Sequence, residues 1–187
     1  MQEMRRRIDM ENSTYSFEKE YFNNEMKEFE MSILSDRVCS SFVPTSFIRE
    51  TDRLTAVYSY DGFLKISQCR FKDIIQPLNL VERVIKELVK GGSYYLDYSR
   101  AELTCDTVFY CSETQEIRLA YIPVKENGSF GSNLIEFVTE LKRCYFGNSA
   151  EYLDRLIAFL QENNYSTDDI INRIIELKRE VNRYGVK

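Results

Sequence analysis

The 187-residue chain contains no histidine. That one absence removes the commonest general base, the commonest metal ligand and the usual pH switch. Ser-His-Asp and Cys-His catalysis are excluded within this chain. Cysteine occurs five times, at Cys39, Cys69, Cys105, Cys111 and Cys144, and no two form a Cys-x-x-Cys pair. Neither a zinc motif nor a dithiol redox motif results. An odd number of thiols at irregular spacing implies reduced, mostly buried cysteines and a cytoplasmic location. In that compartment the Asn-x-Ser/Thr matches at Asn12, Asn127 and Asn164 carry no sugar. Glycine is scarce, seven residues in all, and none precedes Gly62. No apolar run is long enough to span a membrane, and no secretory signal pattern is visible.

What is present belongs to an ordinary globular chain, 43% hydrophobic and 13% aromatic. This length fits one domain or two small lobes, and buries roughly 70% of the unfolded surface. A net charge of −5 gives no general case for nucleic acid binding. Arg5-Arg6-Arg7, the only basic run, sits in a polar tail over residues 1–16 and reads as solvated rather than as a phosphate or lipid anchor.

The stretch from Tyr94 to Val124 organises the rest. Val108, Phe109 and Tyr110 form one β-rich run, and Ile117, Leu119 and Tyr121 a second. The polar turn Ser112–Glu116 between them predicts a hairpin near 107–122. Upstream, Phe29, Met31 and Ile33 alternate with polar residues, which predicts a strand over 25–34, although Phe22 and Met26 keep a helix open. Phe42–Arg49 and Leu54–Tyr60 read as further strands, so residues 25–61 read as a three-stranded antiparallel meander. Residues 68–76 suggest a short helix.

Beyond it, Pro77 suits the first turn of a helix that carries Val81, Val84, Ile85 and Leu88 and stops at Gly91-Gly92. A helix capped by Ser132 carries Leu134, Phe137, Val138 and Leu141. A helix capped by Ser149 carries Leu153, Leu156, Ile157 and Leu160. A last helix, capped by Thr167, carries Ile170, Ile174, Leu177, Val181 and Tyr184.

A small β lobe followed by helices interrupted by one hairpin is the order of a protein kinase without its beginning. More specifically, the chain resembles a family of bacterial domains, mostly from Firmicutes, that stand at the N-terminus of FHA-domain proteins. That family is similar in turn to the cytoplasmic pseudokinase domain of a type VII secretion membrane component. The residues that carry the resemblance are Phe42-Val43-Pro44-Thr45-Ser46-Phe47-Ile48-Arg49, Tyr58-Ser59-Tyr60-Asp61-Gly62, Tyr95-Leu96-Asp97 and Arg118-Leu119-Ala120-Tyr121-Ile122-Pro123. It covers roughly residues 20–180, and no FHA domain lies within these residues. It implies an α+β, protein-kinase-like fold, with a reduced antiparallel β lobe over 17–62 and a mainly helical lobe over 63–187.

Kinase chemistry is positioning and charge neutralisation around nucleotide phosphates and magnesium. A glycine-rich loop is missing, because Gly62 follows the whole β lobe. Where an Asp-Phe-Gly is needed, Tyr121-Ile122-Pro123 supplies no metal ligand. The catalytic His-Arg-Asp is replaced by Arg100-Ala101-Glu102, with Thr107 at the place of its Asn. Glu102 as a base then has nothing to act on and reads as solvated or capping. Lys27, the candidate phosphate lysine, lies among Glu25, Glu28 and Glu30 and reads as a surface strand residue.

Other candidates have plainer readings too. Tyr94, Tyr95 and Tyr98 favour packing over a ligand platform. Asp97 and Asp168-Asp169 favour turn and helix-start roles. Cys105 and Cys111 have no sequence neighbour that lowers a thiol pKa. No residue is assigned as catalytic, cofactor-binding or metal-binding.

The expectation is a cytoplasmic, catalytically silent, pseudokinase-like module that binds a protein partner, with Tyr58, Tyr60 and Tyr145 as candidate exposed contacts. Neither nucleic acid nor direct membrane insertion is expected. The alternatives are a nucleotide-binding regulatory pseudokinase and a structural α+β module unrelated to kinases.

Overall fold

A computed structural model describes residues 15–22, 24–123, 129–162 and 165–184. The basic run Arg5–Arg7 and the three Asn-x-Ser/Thr sites lie outside the described residues.

The chain is α+β. Strand β1 (Ser16–Phe22) leads to helix α1 (Glu28–Ser35), then to β2 (Thr45–Arg49) and β3 (Arg53–Ser59). These strands form an antiparallel sheet in the order β1-β3-β2. A second antiparallel sheet, β4-β5-β6, joins the short β4 (Leu64–Lys65) to a hairpin of β5 (Val108–Tyr110) and β6 (Ile117–Leu119). The hairpin therefore stands where its sequence pattern predicts, with Val108 opposite Leu119. Helix α2 (Ile75–Gly92) lies between the two parts of this sheet in the chain. Helices α3 (Phe130–Lys142), α4 (Glu151–Glu162) and α5 (Thr167–Tyr184) complete the described chain.

The first lobe corrects the sequence reading. Residues 28–35 form a helix where alternation predicts a strand. Its buried residues are Glu30, Met31 and Leu34, with Met26 just ahead, so they share one helical face rather than one side of a strand. The signal is masked because a buried position holds a carboxylate. Glu30 Oε2 also accepts the Lys27 backbone N–H at 2.8 Å, which satisfies a free donor at the helix start. The third strand is instead β1, which begins at the last residue of the expected tail. Its alternation is hidden because Lys19, charged, shares the inward side with Phe17 and Tyr21, while Glu18 and Glu20 point outward.

The helix ends differ by a few residues from expectation. No α-helix covers 68–74, which follow a one-turn 3-10 segment at Ile66–Gln68, and α2 runs through Gly91-Gly92 with Ser93 as its C-cap. Gly91 lies within an otherwise helical run because Phe42 packs against it: a Cβ there would sit 2.7 Å from the Phe42 ring. Ser129, not Ser132, caps α3, accepting the Ser132 N–H at 3.1 Å. Ser166, not Thr167, caps α5. Its Oγ accepts the Asp169 N–H at 3.2 Å while Asp169 Oδ2 accepts the Ser166 N–H at 3.2 Å. Asp169 is thus a helix-start residue.

A single hydrophobic core joins both sheets and all helices. The sheets meet through Phe42 and Val43: Val43 N–H donates to the Leu119 carbonyl at 2.9 Å, and Leu119 N–H donates to the Ser41 carbonyl at 2.9 Å. Helix α5 is tied to α2 by Lys178, whose ammonium bonds Glu82 and donates to Asn79 Oδ1 at 3.0 Å. Among the described residues no helix is long and apolar enough to cross a membrane.

Candidate functional site

The junction of the first sheet with the hairpin is the chemically richest part of the chain. Four side chains form a buried relay there. Tyr21 and Tyr58 share a hydroxyl–hydroxyl bond of 2.8 Å across β1 and β3. Tyr58 donates onward to the Tyr121 carbonyl at 2.9 Å, and the Tyr121 hydroxyl donates to Glu30 Oε1 at 2.9 Å. Tyr58, Tyr121 and Glu30 are fully buried. Burial is the main cause that drives the Tyr21 and Tyr58 phenols above their ordinary range, so both are neutral donors in the folded protein. The relay ties α1, the first sheet and the chain beyond β6 together.

Beside the relay, Lys19 Nζ meets Glu102 Oε2 at 2.6 Å. Glu102 is held by its backbone: its N–H donates to the Ile122 carbonyl at 2.8 Å and its carbonyl accepts from Thr107 Oγ1 at 3.1 Å. Thr107 Oγ1 also accepts the Thr104 N–H at 2.9 Å, so this threonine fastens the loop that leads into β5. Lys19 and Glu102 keep 40% and 32% of their side-chain surfaces exposed, so the pair contributes little to stability and its partners remain reachable.

Aromatic rings fill the other end of the junction. Phe17 stacks on Tyr58 at 4.8 Å and on Phe109 at 6.2 Å, and Tyr60 stacks on Phe109 at 4.6 Å. Lys65 Nζ lies 5.3 Å from the Phe17 centroid. Side chains of the chain itself thus occupy the space between the sheet and the hairpin, where offset-stacked rings add to the burial of apolar area.

The candidate residues are placed as follows. Lys27 stands at the N-cap position of α1, with its ammonium 5.6 Å from the Phe29 ring centroid; it is not on a strand and does not reach the junction. Lys19, which the sequence reading passed over, is the lysine that does. The signal for it was the alternation of Phe17, Lys19 and Tyr21 against Glu18 and Glu20. Glu102 is paired rather than solvated. Asp97 caps a 3-10 turn, accepting the Ser99 N–H at 3.0 Å. Tyr94 and Tyr98 pack against the core, but Tyr95 stands 83% exposed at φ 62°.

Two corrections concern exposure and thiol chemistry. Of the tyrosines expected at the surface, Tyr58 and Tyr145 are buried and Tyr60 is half-buried, because each packs into the core and Tyr58 also serves the relay. Cys39, Cys69, Cys105 and Cys144 are buried free thiols, and burial pushes Cys69, Cys105 and Cys144 up. Cys111 is half-buried and shifted the other way, by hydrogen bonds from the Thr114 side chain and backbone three residues on. Such a neighbour was not expected from the sequence.

Among the described residues no cluster of three or more Cys, Asp or Glu side chains could hold a metal ion. Tyr121, Ile122 and Pro123 are buried and bring no carboxylate to the end of the hairpin. A search against protein-family models finds no match for this chain, and a search of curated proteins finds none either.

Proposed function

We propose that this chain is a catalytically silent, protein-kinase-like module that binds a protein partner in the cytoplasm, as the N-terminal part of an FHA-type signalling or secretion-associated protein. The observation that carries the reading is the occupied junction. Phe17, Tyr60 and Phe109 stack between the first sheet and the hairpin, where the kinase-like reading puts the nucleotide cleft, and Lys19 is engaged by Glu102. The element order supports the kinase-like part of the proposal: sheet with an inserted helix, long helix, hairpin, then helices. In an active kinase a strand lysine pairs with a glutamate of the helix that follows it. Here Lys19 occupies β1 and Glu30 the following α1, yet Glu30 receives the Tyr121 hydroxyl and Lys19 turns to Glu102. The separation of the strands into two sheets speaks against a generic single-sheet α+β module.

Thermal unfolding with and without ATP and magnesium tests the reading, and no shift is expected. A ligand at 100 times its dissociation constant stabilises a fold by about 2.7 kcal/mol. In a domain of this size that raises Tm by roughly 5–11 °C. A magnesium-dependent rise of that size refutes the reading. It would favour a second one, a nucleotide-binding regulatory module, to which the accessible Lys19 ammonium lends support. In that case Lys19→Ala abolishes the rise.

A further inference from the structure

A second feature lies away from the junction, in the groove between α2 and the turn of the hairpin. It is open to solvent on one side, has a volume of about 360 Å³ and is lined by Arg83 and Lys90 of α2, Arg118 of β6, and the hairpin turn. That is roughly twelve water volumes, so it takes a segment of chain or a small molecule rather than a lone ion. The volume also falls in the range of ordinary ligand sites.

The groove's charge is unlike that of the chain. Three cations face two carboxylates, Glu87 and Glu116, in a protein whose net charge is −5. Glu87 is already engaged, accepting Ser41 Oγ at 2.5 Å and standing 3.7 Å from Lys90. Glu116 is 4.0 Å from Arg118, outside hydrogen-bond range. Arg118 is oriented by stacking: its guanidinium carbon is 4.7 Å from the Phe63 centroid and its side chain keeps 34% exposure. A guanidinium held by its face presents its N–H edge, the geometry that grips an oxyanion in two places.

Arg83 is oriented from the opposite wall, donating to the Gln115 carbonyl. Gln115 adopts φ 61°, a left-handed conformation unusual for glutamine, and its own Nε2 holds it by donating to the Ser112 carbonyl at 3.0 Å. The strained turn therefore aims a carbonyl at Arg83 and fixes that side chain at the groove wall.

We propose that this groove is a docking site for an acidic peptide segment of a partner protein, with carboxylates gripped by Arg83 and Arg118 and the approach favoured by Lys90. This proposal does not depend on the kinase-like reading. It is tested by fluorescence anisotropy of the full chain with labelled hexaglutamate at low and high salt. Saturable binding is expected, weakened by salt and about tenfold or more by the double change Arg83→Ala with Arg118→Ala. Arg179→Ala on α5, an exposed arginine outside this groove, should leave binding unchanged. Arg118→Lys keeps the charge but not the fork and should fall between.

Several outcomes overturn the proposal. One is no saturable binding of hexaglutamate; another is binding that the double variant leaves intact. Binding of inorganic phosphate without hexaglutamate would overturn the peptide assignment. Should the double variant fail to fold, amide chemical-shift changes in the unaltered chain decide, because they must centre on residues 83–90 and 114–118.

Discussion

Replacing Tyr58 with phenylalanine deletes one oxygen atom from the centre of the relay and changes almost nothing else in shape. The lost hydroxyl serves two partners, the Tyr121 carbonyl at 2.9 Å and the Tyr21 hydroxyl at 2.8 Å. Tyr121 is fully buried, so bulk water does not replace the bond that its carbonyl loses. Two hydrogen bonds lost at about 0.5–1.5 kcal/mol each cost about 1–3 kcal/mol. Tyr58→Phe should therefore destabilise by about 1–3 kcal/mol, with Tm falling by roughly 2–12 °C. Tyr21→Phe spares the bond to Tyr121 and should cost only about 0.5–1.5 kcal/mol. The double variant should be less destabilised than the sum, because both changes remove the same bond, with a coupling of about 0.5–1.5 kcal/mol. Urea denaturation of the four proteins measures all of this, with an unchanged slope expected. A Tyr58→Phe loss under about 0.5 kcal/mol, or additivity within about 0.3 kcal/mol, would refute the relay as a structural device.

Two further tests probe other joints. Gly147→Ala should destabilise by about 1–3 kcal/mol, because the new Cβ would meet the Lys72 carbonyl and the Tyr145 hydroxyl, and overpacking at backbone cannot relax by rotamer change; a melt within about 1 °C of the parent would contradict this. Glu82 ties α2 to α5. Burial works to raise its pKa, but the hydrogen bonds from Lys178 and Lys86 outweigh it and hold the carboxylate below its ordinary 4.5. Since the folded value lies below the unfolded one, the contribution of Glu82 is complete above that unfolded value and is lost as pH falls through the folded one. Glu82→Gln should cost about 1.5–3 kcal/mol at neutral pH and flatten the acid limb below about pH 4.5, so stability curves of parent and variant that run parallel from pH 7 to 3 would exclude the role.

What was legible in the sequence was mostly what local patterning encodes. The hairpin was visible because polar residues separate two short apolar runs. The four long helices were visible because their apolar residues return every three or four positions over two turns or more. The first lobe was harder, since two of its inward positions, Lys19 and Glu30, hold charged residues that break the pattern from which β1 and α1 would be read. Alternation of Phe29, Met31 and Ile33 imitated a strand because an eight-residue helix is too short for its period to assert itself.

The candidate site divides in the same way. Composition alone removed histidine chemistry, and residue order alone left Tyr121, Ile122 and Pro123 without a carboxylate. Only tertiary structure decided that Lys19 rather than Lys27 reaches the junction, that Tyr58 is buried rather than presented, and that Tyr121 answers to Glu30 across 91 positions. It alone brought Arg83 and Arg118 into the lining of one groove. A chain pattern records which side of its own element a residue takes. It does not record which distant element will be waiting there, because that depends on how whole surfaces pack once water is expelled.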